Sequence, residues 1–101
     1  MKIFVDDQRP APSGWTWVKT VRDALRLLEG LAEPLEAVSL DYQGQGGETF
    51  EPVAYYIEQN LKPLTIYIHS GNEFAMELMS GILKSHKVIQ KEYSDILNGR
   101  I

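Results

Sequence analysis

Four short apolar runs mark the chain, and three of them stop abruptly on polar residues. Ile3-Phe4-Val5 ends on Asp6-Asp7, Ala37-Val38-Ser39-Leu40 runs into Asp41, and residues 64–68 end at His69-Ser70-Gly71-Asn72. Runs this short and rich in β-branched residues read as buried strands, while residues 15–19 alternate large apolar and polar side chains as a half-exposed strand does. Helical spacing fills the gaps. Thr20 with Asp23 resembles an N-cap with an acidic third residue, ahead of Val21, Ala24, Leu25, Leu27, Leu28 and Leu31. Residues 51–61 place Val53, Ala54, Tyr56, Ile57 and Leu61 on one face, and Asn72 is a plausible cap for a stripe of Phe74, Ala75, Leu78, Met79, Ile82 and Leu83.

The order is strand, strand, helix, strand, helix, strand, helix, which predicts an α/β sandwich with a small, mainly parallel sheet flanked by helices. Beyond Lys84 the pattern blurs. Residues 87–90 carry a weak strand signal and 92–97 a turn or two of helix, so the expectation is one domain with its core in residues 1–84. Residues 85–101 are expected as a helical or extended tail, without a regular fifth strand.

In such sheets ligands collect at the carboxyl ends of the strands. Asp6-Asp7, Asp41 and His69-Ser70 are therefore predicted to share one edge. Three carboxylates together repel unless a cation neutralises them, and hard oxygen donors suit a divalent ion, Mg2+ or Mn2+, on Asp6, Asp7 and Asp41. Taken singly, an acid after a strand more often caps a turn. Arg9 is expected to pair with a carboxylate or grip a phosphate through two parallel hydrogen bonds, with Pro10 and Pro12 stiffening its loop. His69 is a candidate acid or base, set against the plainer reading of a satisfied, partly buried histidine. Ser70 and Asn72 bracket a glycine where a helix begins, a place for an anion or for simple capping. The glycine-rich stretch 43–47 lacks a lysine and matches no phosphate-binding fingerprint, so a mobile loop or lid is expected. His86, in a polar run, is expected to be solvated, and Trp15, Trp17, Tyr55, Tyr56, Met76 and Met79 are expected to pack.

The 101 residues include no cysteine, which removes disulfides, thiolate zinc sites and cysteine nucleophiles and fits a reducing compartment. The opening residues gain charge too quickly for a secretory signal, and no run nears the roughly 18 apolar residues of a membrane span. A net charge of −4 offers no bulk attraction for nucleic acid. The expectation is a cytoplasmic domain that recognises phosphate locally.

Asp6-Asp7-Gln8-Arg9-Pro10, then Pro12, Gly14-Trp15 and Val18-Lys19-Thr20, resemble the start of the cyclic-phosphate processing receiver-like domains. Ser39-Leu40-Asp41 and His69-Ser70-Gly71-Asn72, followed by Met79, match the other two blocks of that family in order and spacing, over roughly residues 1–83. The resemblance implies a receiver-like (flavodoxin-like) fold and metal-assisted processing or hydrolysis of a cyclic phosphate or nucleotide-type phosphoester. On that reading Asp41, His69 and Arg9 are catalytic, and Ser70, Asn72 and Arg9 hold the phosphate. The chain departs from the family pattern at Tyr42 and Gln43, where a histidine and a second aspartate are usual, and at Glu73 and Ala75, where proline and glycine are. These departures leave a second possibility, a degenerate module that binds a nucleotide, a phosphate ligand, a protein partner or its own copy without turnover. Phosphorelay would also need a lysine ending a fifth strand, for which Lys91 is the one loose candidate.

Overall fold

The computed structural model describes residues 1–99, the side chain of Gln45 apart. Five parallel strands, β1 (Lys2–Val5), β2 (Thr16–Val18), β3 (Ala37–Leu40), β4 (Thr65–Ile68) and β5 (Lys87–Gln90), form one sheet in the order β2-β1-β3-β4-β5. This is the flavodoxin-like order, whose ligand crevice lies where the order reverses, between β1 and β3. The helices are α1 (Val21–Glu29), α2 (Glu51–Asn60), α3 (Glu73–Ile82) and the short α4 (Tyr93–Leu97).

Strand alternation sends side chains two ways. Ile3, Val5, Val38, Leu40, Ile66 and Ile68 join Ala24, Leu28, Val53, Ile57 and Met79 in one buried cluster beneath α1, α2 and α3. The expected caps form. The Thr20 side chain accepts from the Asp23 N–H, and Asn72 Oδ1 accepts from the Phe74 N–H at 2.9 Å. Phe4 points to the opposite face. No helix links β1 to β2, and there Phe4 is covered instead by Trp15 from the connecting loop, His69, and Tyr93 of α4.

Four expectations are corrected. In place of a tail without a regular fifth strand, residues 85–99 form the strand weakly signalled at 87–90 and the helical turns signalled at 92–97. β5 pairs in parallel register with β4, and α4 buries Ile96. β5 is an edge strand with exposed ends and half-buried middle residues, so it lacks the apolar run that marks the central strands. Phe74, placed on the buried stripe of α3, is 60% exposed, and Tyr55 is exposed across from it. His86 is not solvated. Its ring is enclosed, Nδ1 accepts from the Leu64 N–H at 3.1 Å, and Nε2 lies 3.8 Å from Glu58 Oε1. The glycine-rich loop closes on itself, with the Gly44 N–H donating to Glu48 O and the Phe50 N–H to Tyr42 O, which anchors buried Phe50 beneath it. Gly46 and Gly47 take positive φ (63° and 79°) in its single 3-10 turn, a conformation open to glycine without strain.

Candidate functional site

The hydrogen-bond ladders run one residue past the strands. The Asp6 N–H donates to Val18 O, Asp41 to Val5 O, His69 to Leu40 O and Lys91 to Ile68 O, at 2.9–3.1 Å. Asp6, Asp41, His69 and Lys91 therefore stand at one level along the carboxyl edge. The register of a parallel sheet brings together side chains that are scattered along the chain.

Asp6 stops β1 by capping the turn that follows. Its Oδ1 accepts from the Gln8 and Arg9 N–H groups, both at 2.9 Å. Oδ2 accepts from Arg9 Nε at 3.0 Å and from His69 Nε2 at 2.9 Å. The Trp17 indole N–H closes on the Asp6 carbonyl at 2.8 Å. Burial alone would raise the Asp6 carboxyl, but the His69 hydrogen bond and the two backbone donors outweigh it and hold the pKa at about 2.

His69 lies under the site. The residue is 1% exposed, its ring stacks on Phe4 at 4.4 Å between centroids, and both nitrogens are engaged, Nδ1 with Ser39 Oγ at 2.7 Å and Nε2 with Asp6. The plainer reading of this residue describes its surroundings: it is a satisfied, buried histidine. Ser39, also buried, was singled out only as part of a motif; its polar side chain inside an apolar strand was the available signal.

Arg9 joins the parts. Besides Nε on Asp6, its Nη2 donates to His69 O at 3.2 Å and lies 3.9 Å from Asp41 Oδ2, and the guanidinium sits 4.8 Å over the Tyr93 ring. Nη1 makes no hydrogen bond among the described residues. The Tyr93 hydroxyl donates to Pro10 O at 2.7 Å, tying α4 to the Arg9 loop. Asp41 is less enclosed. Its Oδ1 accepts from the Tyr42 N–H at 2.8 Å, while burial, with the Asp6 charge adding to it, raises its pKa.

The surface over this edge divides in two. A cleft of about 590 Å3 is lined by Arg9, Ser70, Gly71, Gln90, Lys91 and Tyr93, among others. A smaller depression of about 220 Å3 is lined by Asp7, Asp41, Tyr42, Ser70 and Asn72, among others. Arg9 and Lys91 line the larger cleft together with Glu92 and Asp95, Asp7 and Asp41 line the smaller depression, and Ser70 borders both. Of the expected phosphate-binding residues, Arg9 lines the cleft, Asn72 the depression and Ser70 both. The structure adds Lys91 and Tyr93 to this edge; they lie just after β5 and at the start of α4, the two elements that the sequence marks most weakly.

One ligand atom each from Asp6, Asp41 and His69 lie within 4.8 Å of one another, the donor types of a metal site. A carboxylate offers about four lone-pair positions. Asp6 already accepts four hydrogen bonds, and both nitrogens of His69 are engaged. Asp41 keeps an open oxygen, and Asp7, outside that group, makes no side-chain hydrogen bond among the described residues. Two carboxylates on one depression fit a hydrated divalent ion, which keeps several waters and takes one or two acidic ligands. Of the expected set Asp6, Asp7 and Asp41, the last two are the carboxylates with the more open oxygens.

Comparison with protein families finds one match, a family model described as the cyclic-phosphate processing receiver domain, over residues 1–85. No curated protein and no solved structure matches the chain. No helix among the described residues is long and apolar enough to cross a membrane.

Proposed function

The chain belongs to the cyclic-phosphate processing receiver domain family, and from that premise we propose that its strand-end site hydrolyses a cyclic phosphate or nucleotide-type phosphoester. The observation that supports this most is the state of Arg9. One edge of the guanidinium is held by Asp6 and the His69 carbonyl, while Nη1 makes no hydrogen bond among the described residues and Arg9 lines the larger cleft. A guanidinium fixed in this way meets phosphoryl oxygens without first having to be ordered. Lys91 lines the same cleft, and Ser70 stands where cleft and depression meet.

Asp41 is the acid–base group. Its raised pKa and its place near Arg9 suit a carboxylate that takes a proton from water as the water oxygen bonds to phosphorus. It returns that proton to the ring oxygen whose bond to phosphorus breaks. Arg9 stabilises the charge that gathers on the phosphoryl oxygens. Where magnesium or manganese binds, Asp7 and Asp41 would hold it, and the ion would supply polarisation of a phosphoryl oxygen and activation of the water in place of proton uptake by Asp41. A cytoplasmic place of action fits a chain without cysteine.

A second reading has its own support. Tyr42 packs edge-on against Phe74 and Gln43 bridges to Thr49, at the two positions where the family pattern carries an imidazole and a carboxylate. A module that captures a nucleotide, a phosphate ligand or a protein partner without turnover would tolerate that change.

The test is incubation with 2′,3′- and 3′,5′-cyclic mononucleotides, with and without Mg2+ or Mn2+, with products separated by chromatography. Turnover is expected in the wild type and should fall at least about 100-fold in Asp41→Asn and Arg9→Ala. Turnover that survives both substitutions overturns the site. Thermal stabilisation by the nucleotides without product supports the binding module, and acylphosphate on Asp41 after treatment with a phosphodonor would favour phosphorelay.

A further inference from the structure

We propose that His69 is a positioning residue, the middle of a buried chain Ser39–His69–Asp6–Arg9 that aims the arginine into the cleft. Both Asp6 oxygens already accept, from the Gln8 and Arg9 N–H groups and from Arg9 Nε, so Nε2 of His69 carries the proton that bonds Oδ2 at 2.9 Å. In the neutral ring Nδ1 then accepts from the Ser39 hydroxyl at 2.7 Å, which fits that tautomer. Stacking on Phe4 holds the ring plane. Oδ2 is thereby fixed, and Arg9 Nε is bonded to the same oxygen. The backbone of His69 acts in the same direction, since its carbonyl accepts from Arg9 Nη2. One residue thus orients the guanidinium at two of its nitrogens, one through Asp6 and one directly. With both ring nitrogens engaged and the side chain enclosed, the imidazole reaches Arg9 but has no open nitrogen for a substrate proton.

The inference rests on Arg9 as the phosphate-binding group, but its test begins without any ligand. Glutamine at position 69 can place an amide N–H near where Nε2 stood, whereas asparagine reaches only the Nδ1 position. In 1H–15N spectra the Arg9 Nε–H signal, sharp and slow to exchange in the wild type, should persist in His69→Gln and disappear in His69→Asn. Affinity for inorganic phosphate should follow, about tenfold weaker in His69→Asn than in His69→Gln. If the two variants lose the Arg9 signal equally, or if neither loses it, the chain of positioning is wrong. Equal and complete loss of cyclic-nucleotide turnover in both, with the Arg9 signal retained in His69→Gln, would instead make the imidazole a proton carrier and overturn the inference.

Should both variants fail to fold, Ser39→Ala removes only a hydroxyl. With Nδ1 left without its donor the ring is held less firmly, so the Nε2–H tautomer should persist in long-range 15N spectra while the Arg9 signal broadens, and an unchanged Arg9 signal would refute the proposal. A wild type with an ordered Arg9 but no affinity for phosphate or turnover would remove the proposed function alone.

Discussion

Asp6 and His69 are 63 residues apart in the chain and meet at 2.9 Å in the floor of the site, both 1% exposed. A buried carboxylate survives there because four donors surround it, and removing the charge weakens those bonds and sets a new donor against at least one of them.

The acid limb of stability should report on this pair. The folded pKa of Asp6, about 2, lies below the 3.8 of an ordinary aspartate. Its contribution is complete above the unfolded value and is lost as pH falls through roughly 4 to 2, in all about 2 kcal/mol. Urea unfolding across pH 2–7 should show that loss in the wild type. Asp6→Asn should be less stable at pH 7 by roughly 3 kcal/mol and should lack this part of the acid dependence.

Asp41 has the opposite sign. Its folded pKa is raised, chiefly by burial, so the fold favours the protonated acid, and that contribution is lost as pH rises through the folded value. Asp41→Asn keeps an oxygen to accept from the Tyr42 N–H and carries no charge. It is expected to be more stable than the wild type at pH 7 by roughly 0.5–2 kcal/mol while losing turnover, a trade common where a site holds a charge against its surroundings. Thermal unfolding of the two proteins at pH 7 decides it.

Tyr93 supports Arg9 from the side away from Asp6. In Tyr93→Ala the guanidinium loses the ring beneath it, and the Arg9 loop loses the hydroxyl bond to Pro10. Calorimetric titration with inorganic phosphate should show affinity weaker by about two- to fivefold, the worth of a partly exposed cation–π contact.

Away from the site, His86 has a structural duty. Its Nδ1 is the acceptor for the backbone N–H of Leu64, at the entry to β4. His86→Ala leaves that donor unsatisfied and should cost about 2 kcal/mol in chemical denaturation, where a solvated surface histidine would cost almost nothing.

The central part of the fold was legible because β1 and β3 are buried on both faces and β4 on one and partly on the other, so each reads as a largely apolar run ending sharply where the sheet meets solvent. β5 shields only half its residues, and a four-residue edge strand with charged and amide ends has no such mark. That is why Lys91, which lies at the same level as Asp41, is marked only weakly in the sequence. Phe74 illustrates the converse error, since helical spacing names a face but does not say whether another element covers it.

For the site, local sequence determined which residues end the strands and the turn that Asp6 caps, because a carboxylate two or three residues before free N–H groups bonds them within its own segment. It could not determine what those residues do to one another. That His69 bonds Ser39 and Asp6, that Arg9 reaches the His69 carbonyl, and that Tyr93 ties α4 to the Arg9 loop all follow from the parallel register and from the docking of α4. These contacts join residues 30 to 83 positions apart, and only the closed sheet brings them within reach.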